Sequence, residues 1–432
     1  MNSLVDFRFG CCTCLVEGSY HHELRKMTFP IARSFQLRSE HEHRKHQRRG
    51  TLHTPVFGVK GFSPLEKVLR LPVCIPYDAM HLLHLGIAKK LLQIVVDKRL
   101  VDIPSLSQSV TEIKVPHSFR RRPRNICNEL AMWKAQEHKV FLLYFAPKSF
   151  YLPLLSGGTD ITRQLFCLYM CLASSIYALS EERIKEETLE SVSVIIYTFQ
   201  KLMNDMFGPG VRTGTLHSLI HLPRQVENFG SISATTANCF ENVNRFLKRS
   251  VTGKVRQGRQ IAERFLFMQK CTVTNSCVSL QQRSIPRTQA HDELLSRLGL
   301  PLDNLMFLSK ISVNDRVFHS YDYGRHLHCA SYFAYASGEL LFVKIKHIIK
   351  IREVVKCICR TYDKVSNWHD FMLPDLTERL NQHFSRIRSH FQLRKSCIKI
   401  FEAEKLSHHA IISKLHGDMF YGVKVLKDFG HE

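Results

Sequence analysis

The chain has 432 residues, more than one hydrophobic core usually organises, so two or three domains are expected. With 44% hydrophobic and 23% charged residues it has the balance of a folded globular protein, which excludes a disordered chain. Lys and Arg number 61 against 38 Asp and Glu, a net charge of +23 before any of the 24 histidines protonates, and the natural partner for that charge is a polyanion.

The most apolar run, residues 165–179, is too short to span a bilayer and carries Tyr169, Ser174 and Ser175, so no membrane association is expected. Asp6 and Arg8 interrupt what would be the core of a secretory signal, which predicts an intracellular chain. The 14 cysteines are too sparse for a disulfide scaffold, and those in apolar segments, such as Cys167, Cys171, Cys357 and Cys359, read as buried reduced thiols.

In chain order, a cysteine-rich start leads into a basic, His-rich stretch over 21–53. Residues 71–78 are β-prone and punctuated by prolines, which predicts a strand at a sheet edge or end. From Ala79 apolar residues recur at helical spacing through Val95, so strand, Asp78 and helix follow one another. A polar loop over 104–124 precedes helical periods at 130–145, 162–180 and 182–206. Gly208-Pro-Gly210 ends this run, and two more helices are predicted over 215–229 and 237–267. Beyond Pro286, alternating aromatic and β-branched residues over 313–362 predict a β module, followed by a basic helical tail over 375–399.

Asp78-Ala-Met-His81 stands where a strand would hand over to a helix, so carboxylate and imidazole share one side and suit a divalent metal. An Asp before a helix is common, and on residue chemistry alone the N-cap is the favoured reading of Asp78. Glu241 is an acid on a very basic segment containing Arg245, Lys248, Arg249, Lys254 and Arg256; it is either held for a metal or paired with a neighbouring Arg on a solvated face. Cys11 and Cys14 form one C-x-x-C, and His217 and His221 form an i, i+4 pair; together they would close a Cys₂His₂ zinc site, although each half alone is a weak signal. Ser218 stands where a zinc protease of the H-E-x-x-H type needs its glutamate, and there is no phosphate loop or nucleophile elbow. The basic clusters at 44–49, 120–124 (Arg120, Arg121, Arg122, Arg124), 245–259 and 386–399 contain no acid and fit salt-dependent phosphate contacts.

The order of these motifs is more specific than any one of them. Gly10-Cys-Cys-Thr-Cys14 with Gly18, Lys26-Met-Thr-Phe-Pro30 and Arg38, Gly61-Phe-Ser-Pro-Leu65 and Pro76-Tyr-Asp-Ala-Met-His81 with Leu85-Gly86 come first. Trp133-Lys-Ala135 with Glu137, His217 with His221-Leu222, and Phe240-Glu-Asn242 with Leu247-Lys248 follow. Over about residues 9–267 the chain resembles the catalytic region of CACTA-type (En/Spm-like) cut-and-paste DNA transposases and their domesticated derivatives. The resemblance implies a ribonuclease H-like fold split by a helical insertion, in which two Asp and one Glu hold two Mg²⁺ ions for strand cleavage and transfer. By position Asp78 matches the second Asp, His81 the histidine that accompanies it, and Glu241 the final Glu. The family's first Asp lies upstream of the Gly-Cys segment; Asp6 is too close to Cys11 to match it, so the chain is expected to be N-terminally truncated and inactive in cleavage.

The expected architecture is α/β: residues 1–100 as the N-terminal part of a ribonuclease H-like core, 101–210 as a helical insertion, 211–275 as the remainder of the core with Glu241, and 288–432 as a β-rich module with a basic helical tail. The expected protein is a transposase-derived DNA-binding protein of the nucleus. The alternative is a non-enzymatic, domesticated protein-interaction module. Mg²⁺ belongs to the ancestral reaction, Zn²⁺ to the Cys/His set, and the sequence leaves open whether the chain forms a homo-oligomer.

Overall fold

The computed structural model describes residues 7–116, 118–119, 121–274, 284–301, 303–314, 316–321, 323, 332–366, 374–387 and 389–426. The fold is mixed α/β, with helices up to Thr274 and a large antiparallel sheet after it.

Asp160–Leu179 is the central helix. Its side chains are buried around nearly the whole circumference, as an all-apolar helix requires, and the Thr159 side chain caps it by accepting from the Thr162 N–H. Glu186–Phe207, Ala146–Leu155 and Leu222–Phe229 pack around it, and so does Pro374–Ile387 from the C-terminal part. Gly208, at φ 75°, ends the long helix in a conformation that favours glycine. Among the described residues no helix is long and apolar enough to cross a membrane.

The C-terminal sheet closes on itself. Around the ring, Phe333–Ala336 pairs with Leu341–Ile351, which pairs with Val354–Ser366, then come His390–Glu402, Met419–Lys424 and Leu406–His416, which returns to Phe333–Ala336. All these pairings are antiparallel, so the ring is a six-stranded barrel with its edges removed by closure. Leu305–Leu308 adds to the far half of Leu341–Ile351. Phe342, Ile345, Cys359, Leu393, Phe401 and Leu406 belong to the barrel's own core.

Barrel and helices are welded together, because Ile411, Tyr421 and Val423 belong to the same buried cluster as the central helix. The Tyr177 hydroxyl donates to Lys424 O at 2.9 Å and Lys148 Nζ to Ser413 Oγ at 2.8 Å. His390 Nε2 lies 2.8 Å from Leu143 O.

Four features of the structure differ from the sequence expectation. Residues 71–78 form a turn and an extended segment with no strand partner: Pro72 and Pro76 offer no N–H, and Gln225 satisfies both backbone groups of Tyr77. The only strands among the described residues of 7–274 are the short hairpin Ser19–His21 with Lys26–Thr28, so the central sheet of a ribonuclease H-like core does not appear there. The tail expected to be helical over 375–399 is helix only through Ile387; from His390 the chain runs as a strand, held by pairing with Val354–Ser366 and Met419–Lys424. The single helix expected over 237–267 is two, Asn238–Ser250 and Gln257–Thr274.

His390 is 4% exposed and burial lowers its pKa to about 4, with the bond to Leu143 O partly opposing the shift. His138, 1% exposed, is lowered to about 4, first by burial and then by Lys89. Both therefore stay neutral in the folded chain while the unfolded chain protonates near pH 6.5, so their stabilisation is complete above about pH 6.5 and is lost as pH falls toward 4. Each should remove about 2 kcal/mol between pH 7 and 5. Urea unfolding at the two pH values reads this directly, and equal midpoints would contradict it.

Candidate metal centre

Four buried side chains from two distant segments meet at one point. Cys11, Cys14, His217 and His221 are 6%, 0%, 5% and 5% exposed, and their ligand atoms all lie within 4.8 Å of one another. His217 Nε2 and His221 Nε2 are 3.3 Å apart, Cys14 Sγ is 3.2 Å from His217 Nε2, and Cys11 Sγ is 3.4 Å from His221 Nε2. A tetrahedron with Zn–S of about 2.3 Å and Zn–N of about 2.0–2.1 Å has N–N edges of roughly 3.3 Å and N–S edges of roughly 3.6 Å. The four side chains thus form a Cys₂His₂ group fit to bind a metal such as zinc.

Local structure explains the convergence. Residues 10–18 form no regular element, and the backbone N–H groups of Thr13 and Cys14 both turn onto Cys11 Sγ at 3.4 Å, stabilising negative charge on it. The histidines come from a segmented helix, Gly214–Ser218, Leu219–His221 and Leu222–Phe229, opened by the Thr213 side chain as its cap. The Cys11 thiol is held well below its usual pKa, first by its hydrogen bond with Cys14, against burial, and then by His217 and His221; Cys14 is pushed up by Cys11 and by burial. The site thus favours negative charge on Cys11, which a divalent cation would neutralise.

Around the tetrad lies a supporting shell. The Arg38 guanidinium, 9% exposed, donates from Nε to Cys11 O and Cys14 O at 3.0 Å, and from its terminal amine to Phe57 O at 2.9 Å. It clamps the cysteine loop and brings positive charge beside the two sulfurs. Phe29 and Phe35 pack on the His217 ring, while Tyr77 stacks on His221 at an interplanar angle of 8°. His217 Nδ1 is buried with no acceptor among the described residues.

The same helix carries order from this centre to Asp78. His217, His221 and Gln225 recur every four residues, so they follow one another along one side. The Gln225 amide bonds Tyr77 N at 2.8 Å and Tyr77 O at 2.9 Å, which fixes the peptide immediately before Asp78. Asp78 then caps the following helix, accepting from Met80 N at 3.0 Å and His81 N at 3.2 Å, and also contacts His81 Nδ1. A Cβ at Gly86 would stand 2.8 Å from His81 O and 3.1 Å from the Thr215 methyl, so glycine lets this helix lie against the one bearing His217.

Asp78 Oδ1 also accepts from Ala237 N at 2.7 Å. Ala237 opens Asn238–Ser250, whose first turn carries Glu241, so Asp78 and Glu241 lie on neighbouring elements, with Glu241 one helical turn, roughly 6 Å along the axis, from the bonded N–H. Burial raises the Asp78 pKa, but the bonds from Ala237, His81 and Met80 outweigh it and leave the carboxyl below the usual range. Those donors occupy the carboxylate, and Asp78, His81 and Glu241 do not close into a ligand group: the Cys₂His₂ tetrad is the only group of three or more such residues within ligand reach among the described residues.

The basic residues divide. Arg120 lies outside the described residues and Arg121 is exposed. Arg122 is half-buried and donates to Thr111 O, and Arg124 makes a bidentate pair with the buried Glu137 at 2.6 and 3.0 Å, so these two are structural. Arg245, Lys248, Arg249, Lys254 and Arg256 are all exposed on or between Asn238–Ser250 and Gln257–Thr274. Sequence reasoning missed the roles of Arg38, Tyr77 and Gln225; the one available signal was the four-residue spacing of Gln225 beyond the histidines.

With the tetrad loaded, the chain should hold one zinc, and Cys14→Ser should remove it and cost several kcal/mol of stability, since structural zinc contributes directly to folding. Metal content by mass spectrometry together with thermal unfolding checks this; a variant with unchanged zinc and melting temperature would contradict it.

No family model, curated protein or solved structure matches the chain.

Proposed function

We propose that the protein is a DNA-binding derivative of a CACTA-type cut-and-paste transposase, acting in the nucleus and no longer cleaving DNA. The observation that carries this reading is the 2.7 Å bond from Ala237 N to Asp78 Oδ1, which joins elements 159 residues apart in sequence. These elements bear the two carboxylates that the resemblance assigns to chemistry, and the Cys₂His₂ group stands two side chains away through Tyr77 and Gln225. Support for a ribonuclease H-like ancestry rests on this juxtaposition and the motif order, since a central sheet is absent from the described residues of 7–274.

Loss of cleavage follows from the same site. A pair of Mg²⁺ ions belongs to the ancestral reaction and needs carboxylates free to bridge them, whereas Asp78 is engaged by three backbone N–H groups and His81. Phosphate binding is left to the exposed cations Arg245, Lys248, Arg249, Lys254 and Arg256.

A second reading has its own observation. Phe240, Val243, Phe265 and Phe267 are 69%, 50%, 42% and 70% exposed on the same two helices, a composition that suits a protein partner. Binding to a random-sequence duplex over a salt series separates the two. Five neutralised phosphates predict a log–log slope of about −4 to −5, with no strand cleavage in Mg²⁺. Absent or salt-independent binding would favour the protein-interaction reading, and Mg²⁺-dependent cleavage abolished by Asp78→Ala would overturn the inactive assignment.

A further inference from the structure

The barrel sets like charges against each other in a way its own stability does not explain. Lys344 on Leu341–Ile351 stands directly opposite Arg360 on Val354–Ser366. Directly opposed residues of an antiparallel pair share a face and sit close together, and like charges there are destabilising. Arg360 reaches the next strand as well, donating to Ser396 O at 2.8 Å, beside the exposed Lys395. The charges that act on Lys344 are those of Lys346, Lys114 and Lys395; with burial as the larger cause, they bring its pKa down to about 8. No carboxylate pairs with Lys344, Arg360 or Lys395 among the described residues.

Aromatic rings hold these cations in place. Lys344 Nζ lies 4.6 Å from the Tyr321 ring centroid and 5.1 Å from that of Tyr332, and Lys346 Nζ lies 4.8 Å from Tyr321. Tyr321 is 56% exposed and its backbone N–H is bonded to Lys346 O, so the ring is fixed to the strand that carries both lysines. Lysines restrained in this way lose less freedom on meeting an anion than freely rotating ones.

We propose that Lys344, Arg360 and Lys395, with Lys346 and Lys114 beside them, form a second face for the sugar-phosphate backbone of a nucleic acid, on the C-terminal barrel. The inference deepens the nucleic-acid reading above and rests on it, but uses different residues on a different module. Lys344, Arg360 and Lys395, with no carboxylate paired to them among the described residues, call for a partner bearing regularly spaced negative charge, which a nucleic-acid backbone supplies.

The test uses the full chain and a fluorescent 30-base-pair random duplex, with anisotropy read over a salt series. Lys344→Gln with Lys395→Gln should weaken binding roughly five- to tenfold near 0.1 M salt and flatten the log–log slope by about 1.8, or 0.9 per lost charge. Lys344→Arg should restore binding, and Lys395→Glu alone, at an exposed position, should weaken it without touching the half-buried site. Unchanged affinity and slope in the double variant, while Arg245→Gln with Lys248→Gln and Arg249→Gln lowers both, would overturn this face and leave the general reading standing. A wild-type chain that binds no duplex would sink both. A loss confined to vesicles of phosphatidylcholine and phosphatidylserine would also overturn the assignment.

Discussion

The arrangement around Asp78 depends on one convergence, that of Cys11 and Cys14 with His217 and His221 at tetrahedral spacing. The segment 10–18 has no regular structure and only a small apolar cluster of its own, with Cys11, Cys14, Val16 and Phe29 buried in it. So few apolar residues bury too little surface to order a loop by themselves, and a cation held by the four side chains would supply the missing free energy. Arg38 completes the centre by taking up the carbonyls of the same loop.

Order then passes along a helix. Two histidines hold the metal ligand set and Gln225, one further turn on, holds the Tyr77 peptide; Asp78 follows and anchors the start of Asn238–Ser250 through Ala237. Each step is a short hydrogen bond with few alternatives, so a displacement at the cysteines would be felt at Asp78. The C-terminal barrel is tied in separately, through Ile411, Tyr421 and Val423 in the helical core, so its cationic row is held at a defined position relative to the helices.

Sequence reasoning reached the metal centre because its chemistry leaves short local traces: C-x-x-C and H-x-x-x-H are each readable within five residues. Their pairing across some 200 residues was legible only as a composition of ligand types. Asp78 was legible in both roles considered for it, and the structure realises the cap. The predicted strand at 71–78 failed because β-prone residues make a strand only when a neighbour supplies hydrogen bonds, and here the side chain of Gln225 does so. The expected helical tail holds through Ile387 and gives way beyond it, because the strand from His390 onward is decided by two distant partner strands, Val354–Ser366 and Met419–Lys424, that leave no local trace. Closure of that barrel depends on pairing Phe333–Ala336 with Leu406–His416, a contact between segments about 70 residues apart with no local signature.

Zinc K-edge X-ray absorption on protein produced with zinc in the medium tests the centre most directly. The account predicts a four-coordinate shell of two sulfurs at about 2.3 Å and two nitrogens at about 2.0–2.1 Å. A shell of oxygens, or protein that retains no zinc while keeping its fold and stability, would contradict it.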